Sequence, residues 1–121
     1  MPVNKGLRDQ ENERIQNQLK QLIGMPFVPD QINAGLKMLS LDLESISLKD
    51  ASELIAQLQQ ANLDWENFEL FADFLIRIAK EIPQQKSLLT QKAISIYQFI
   101  QNESKVFSFE IFNKIASAQR L

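Results

Sequence analysis

WENFELFADFLIRIAKEI, residues 65–82, decides the fold of this 121-residue chain. Trp65, Phe68, Ala72, Leu75, Ala79 and Ile82 follow one another at intervals of 3, 4, 3, 4 and 3. Phe71, Phe74 and Ile78 continue the same face at 3 and 4. A period near 3.6 places these side chains on one side of an α-helix. At roughly 100° per residue the apolar arc is about 200° wide, too wide for a helix covered on one side only. The stretch therefore predicts a central helix over 65–81, sandwiched between neighbours. Asp64 is its N-cap, since a carboxylate there accepts an orphan backbone N–H, and Pro83 closes it.

Outward from this helix the same period recurs. A fifth helix is expected over 85–101, with Leu88, Leu89, Ala93, Ile96, Tyr97, Phe99 and Ile100 as its wide apolar arc. A sixth, over 105–119, carries Phe107, Ile111, Phe112, Ile115 and Ala116. Trp65 and Tyr97 have polar handles, which places both at the edge of the core. A loose echo links FELFADFLIRIA at 68–79 with FSFEIFNKIASA at 107–118 and reads as shared helix patterning. Short connections at 62–64, 82–84 and 102–104 imply antiparallel neighbours.

Towards the N-terminus, 1–6 reads as a loose tail and 7–23 as a first helix. The apolar residues of that helix, Ile15, Leu19, Leu22 and Ile23, all lie in its second half. The polar first half has little to offset its ordering entropy and is expected to fray or project. Ile32, Leu36, Leu39, Leu43 and Ile46 are spaced 4, 3, 4 and 3, which suits one helix across 30–46. Leu39, Leu41 and Leu43 also alternate, and Gly35 and the serines weaken a continuous helix. The preferred arrangement is a helix over 30–39 and then a short turn. Ser47 with Asp50 resembles a capping box, opening a third helix marked by Leu48, Ala51, Leu54, Ile55, Leu58 and Ala61. The fold class is thus all-α, one domain of five or six antiparallel helices.

Composition excludes much chemistry. The sequence contains no His and no Cys, and its three glycines stand at 6, 24 and 35. Ser-His-Asp triads, thiol nucleophiles, zinc sites built on His or Cys, and Gly-rich phosphate loops are all ruled out. Carboxylates remain. Glu66, Glu69 and Asp73 share the polar face of the central helix, with Arg77 and Lys80 further along. An Asp73–Arg77 i,i+4 pair and acids near the helix start explain them structurally, so no metal, cofactor or catalytic residue is assigned.

Charge is uneven along the chain. Residues 41–83 carry three basic and nine acidic groups, and 84–121 carry five basic and two acidic. An acidic middle and a basic end favour docking of one on the other, within a chain or between chains. Lys86, Lys92, Lys105, Lys114 and Arg120 are too thinly spread for a phosphate-binding stripe, so no nucleic-acid partner is expected. No apolar run reaches the roughly 18 residues of a membrane span. The polar stretch RDQENER at 8–14 leaves no signal-peptide core. The expected compartment is the cytoplasm, with no membrane partner.

Four strings occur in a recognisable order: LDLESISL at 41–48, ELFADFL at 69–75, LLTQKAISIYQFI at 88–100 and FSFEIFNKI at 107–115. Together they resemble a group of small uncharacterised bacterial helical proteins. The C-terminal half of those proteins looks like a tetratricopeptide-repeat (TPR) hairpin. The segment with Lys92, Ala93, Ile96 and Tyr97 resembles the second helix of such a repeat. The resemblance implies a TPR-like helical core over 65–119. It also implies a non-enzymatic protein-interaction or assembly role, with no catalytic residues to carry over. The alternative is a small-ligand-binding or regulatory domain with a pocket beside helices 65–81 and 85–101. The candidate interface is Ile15, Leu19, Leu22 and Ile23, an apolar patch able to cover its own domain or a second copy in a two-fold homodimer.

Overall fold

Asp64 caps the central helix as its position demands: its Oδ1 accepts the backbone N–H of Asn67 at 2.9 Å. The computed structural model describes residues 6–121. Seven α-helices follow in order: α1 (Leu7–Gly24), α2 (Pro29–Leu36), α3 (Leu43–Leu48), α4 (Ala51–Gln60), α5 (Trp65–Glu81), α6 (Lys86–Ser104) and α7 (Phe109–Gln119). Short 3-10 turns sit at Lys37–Leu39 and Pro83–Gln85. Among the described residues there is no strand, so the all-α expectation holds. Among the described residues the helix count is seven rather than five or six. Of the expected tail at 1–6, only Gly6 lies within the described residues, where it is the N-cap of α1.

Helix α5 is the centre, packed against both α1 and α6. Phe68, Phe71, Ala72, Phe74, Leu75, Ile78 and Ala79 are buried along it. Trp65, Phe68 and Phe99 form a ring cluster with centroids 5.5–5.9 Å apart, joining the start of α5 to the end of α6. Further along, Asp73 meets Tyr97. The two helices therefore run antiparallel. Trp65 is part-exposed at the core's edge, as expected.

Two segments depart from the sequence reading. The turn expected after residue 39 contains a further helix, α3. It is opened by a reciprocal capping box in which Ser45 N–H donates to Asp42 Oδ1 at 2.7 Å and Asp42 N–H to Ser45 Oγ at 2.9 Å. The box that opens the next helix pairs Asp50 with Glu53 rather than Ser47 with Asp50. Ser47 instead lies inside α3 and donates to Gln85 at 2.6 Å. Leu48, counted on the core face, ends α3 and is exposed.

The polar half of α1 does not project. Asn12 is buried, and its Nδ2 donates to the carbonyls of Arg8 and Asn62, both at 2.9 Å. Its Oδ1 accepts from Asp64 N–H and Asn67 Nδ2, both at 2.8 Å. Asn62 takes up the left-handed conformation just beyond α4 (φ 58°), which asparagine tolerates, and Arg8 Nε also donates to its carbonyl. Hydrogen bonds thus dock this end of α1, where apolar burial is scarce. Gly35 lets α2 lie close against α1. A Cβ there would stand 2.6 Å from Leu22 Cδ2, and Leu22 is fully buried with little room to shift.

Candidate functional site

The end of α6 and the whole of α7 build the most distinctive surface. Lys105 ends α6 in the left-handed conformation (φ 59°). Ser108 starts α7, its Oγ accepting Ile111 N–H at 3.2 Å. Gln101 clamps the elbow, accepting from Ser108 N–H at 3.2 Å and donating to its carbonyl at 3.4 Å. With Ser108 as N-cap, Phe107 and Phe112 hold the positions of a hydrophobic staple, and their ring centroids lie 6.2 Å apart. Phe107 also meets Phe109 edge to face at 4.9 Å.

These rings are not core. Val106, Phe107, Phe109 and Phe112 are 68, 63, 77 and 47% exposed. The inner face of α7 is Ile111 and Ala118, with Ile115 partly buried. This corrects the expectation that Phe107 and Phe112 point inwards. Helix α7 has one main neighbour, α6, so one narrow stripe satisfies its packing. The rest of its apolar surface faces outwards.

Lys114 pins α7 to α5. Its Nζ lies 2.6 Å from Glu69 Oε2, 3.0 Å from Asp73 Oδ2 and 3.5 Å from Glu110 Oε1. The basic end of the chain therefore docks on its acidic middle within one molecule. Burial alone would lower the Lys114 pKa, but the hydrogen bonds and charges of Glu69 and Asp73 outweigh it and raise the value. Asp73 Oδ1 also accepts from Tyr97 OH at 2.5 Å. Tyr97 is buried rather than at the core's edge. Its pKa is pushed well up, first by burial, then by the hydrogen bond and charge of Asp73 and the charge of Glu69.

The expected Asp73–Arg77 pair is replaced. Asp73 turns towards Tyr97 and Lys114, while Arg77 reaches Glu81 at 3.7 Å and lies over the Phe27 ring. Glu66 accepts from Gln16 on α1. The three carboxylates thus serve two joints, and among the described residues no group of metal-ligand type converges.

Beside this knot lies an open cleft of about 400 Å³ between α5 and α7, with Tyr97 of α6 in its wall. Ile76, Ala118 and Leu121 supply apolar lining, and Lys80, Asn113, Lys114 and Ser117 supply polar groups.

Ile15, Leu19 and Leu22 are buried in the chain's own core, and Ile23 is partly buried against it. Helix α1 packs on α5 and α2, with Leu22 against Gly35 of α2. Sequence reasoning also missed Lys92, whose Nζ donates to the carbonyls of Ile46 and Ser47 at 2.9 and 2.8 Å and so caps the C-terminus of α3. Burial lowers the Lys92 pKa, against the opposing charge of Asp50.

No family model, curated protein or solved structure matches the chain. Among the described residues no helix is long and apolar enough to cross a membrane.

Proposed function

We propose that the protein is a non-enzymatic interaction or assembly module that works through the outer face of α7. One observation carries this reading: four neighbouring large apolar side chains, three of them aromatic, stand about half or more exposed on one short helix and its entry loop. Scattered exposed apolar residues are ordinary, whereas a contiguous cluster of this kind marks a contact surface. Aromatic side chains also dominate the energetic centres of protein interfaces. The α5–α6 pair, positioned where the sequence resembles a TPR hairpin, serves as the rigid platform that presents α7.

The test uses immobilised protein, wild type and a Phe109→Ser/Phe112→Ser double variant. The wild type retains a partner, a second copy included, and the variant loses it at unchanged helix content. Equal retention by both, or none by either, contradicts the reading.

A second reading rests on the cleft. A small ligand with an apolar body and a polar end suits a cleft lined by Ile76, Ala118 and Leu121 together with Lys80 and Ser117. A thermal-shift screen of metabolites tests it. A ligand at 100 times its Kd stabilises by about 2.7 kcal/mol, and Tyr97→Phe with Ser117→Ala should weaken the shift. A screen without stabilisers counts against it.

A further inference from the structure

We infer that the occupant of the α7 face is a second copy of this chain, with the two α7 helices crossing antiparallel about a two-fold axis that passes between Phe112 and Ala116. The inference rests on the interaction reading above and names its partner.

The outer stripe of α7 is Phe109, Phe112, Ala116 and Gln119, at intervals of 3, 4 and 3. That is the a/d spacing of a helix seam. The stripe is unequal, with bulk at its N-terminal end and small or flexible residues at its C-terminal end. An antiparallel partner reverses the order. Phe112 then lies against Ala116 of the other copy, and Phe109 against its Gln119, so each large ring meets a space the same sequence provides. A parallel pair stacks ring on ring and leaves Ala116 facing Ala116.

The area is sufficient. Val106 and the three rings expose on the order of 400–500 Å², more than half of the roughly 800 Å² per partner in a standard interface. Neighbouring Asn113, Ala116 and Arg120 extend it. A two-fold contact also closes, so one face per chain yields a dimer rather than a filament.

Sedimentation equilibrium of the full chain from sub-micromolar to high micromolar concentration is the first arm. The expected result is a reversible dimer, with Phe109→Ser or Phe112→Ser raising the dissociation constant about tenfold or more while circular dichroism is unchanged. The second arm uses the absence of cysteine. Asn113→Cys lies beside the proposed axis and should link to its own copy through a short bismaleimide. Gln119→Cys should not, because the two copies of that position are about 15 Å apart along the helices.

A 13.9 kDa mass throughout refutes the second copy; the interaction reading then stands or falls on its own retention test. A dimer indifferent to both serine variants refutes the α7 face itself. A dimer that both cysteine variants link is parallel and overturns the proposed packing.

Discussion

In α5, Phe68, Phe71 and Phe74 are at most 3% exposed; in α7, Phe109 and Phe112 are 77% and 47% exposed. Both helices carry phenylalanine at helical spacing, and one stretch is a loose echo of the other. The difference lies in their neighbours. Helix α5 packs against both α1 and α6, so its wide apolar arc is covered. Helix α7 lies at the margin against α6 and needs only Ile111, Ala118 and part of Ile115 to attach. The same residue type is core in one place and surface in the other. Ionic anchoring takes over where apolar burial is thin: Lys114 ties α7 to Glu69 and Asp73.

The largest expected effects fall on α5. Phe71→Ala and Leu75→Ala should each destabilise by about 2–5 kcal/mol in urea melts, because both positions are fully buried with neighbours that cannot collapse freely. Small losses would mean that α5 is not the centre.

Next comes the polar joint on the α1 side. Asn12→Ala removes the acceptor of Asp64 N–H and one acceptor of Asn67, and should destabilise by about 1–3 kcal/mol. A neutral result would mean that α1 is held by Ile15, Leu19 and Leu22 alone.

Lys114→Met should cost about 1–2 kcal/mol, between an exposed pair and a buried one, since all three side chains in the knot are roughly a quarter exposed. The loss should appear as faster hydrogen exchange in α7 before any in α5. Uniform exchange would contradict the view of α7 as a separately anchored element.

The pH response of this knot has a definite sign. The Tyr97 pKa is raised on folding, so its stabilisation is fully present below the ordinary tyrosine value of about 10 and is lost as pH rises beyond it. Lys114, also raised, acts in the same direction above its ordinary value near 10.4. Lys92, lowered by burial, opposes them, because deprotonation removes its desolvation penalty. Tyr97→Phe should therefore flatten the alkaline loss of stability. An unchanged alkaline limb would place its origin in groups other than Tyr97.

Much of the fold was legible because apolar period and caps are local. The stripe from Trp65 to Ile82 and the Asp64 cap suffice to define α5. The α3 helix was hidden because six residues hold too few turns for a period to show, although Asp42 and Ser45 carry its cap. The docking of Asn12 could not be read, since its partners lie 50–55 residues away. Periodicity identifies an apolar face without saying what covers it. For that reason Ile15, Leu19 and Leu22, a patch able to cover either their own domain or a second copy, are buried in the chain's own core, while Phe107 and Phe112, counted on the apolar stripe of their helix, are exposed. The spacing of Ser108 and Phe112 after Phe107 was the available signal for a stapled helix start.

The smallest expected effect is also the most informative. Phe71→Ala and Phe109→Ala make the same chemical change in two helices of similar pattern. Their urea melts should be compared side by side at sub-micromolar protein, where association does not contribute. The expected result is a loss of at least about 2 kcal/mol for Phe71→Ala and no more than about 0.5 kcal/mol for Phe109→Ala. Comparable losses from the two would show that the α7 rings hold the fold together and would contradict their assignment as an interaction face.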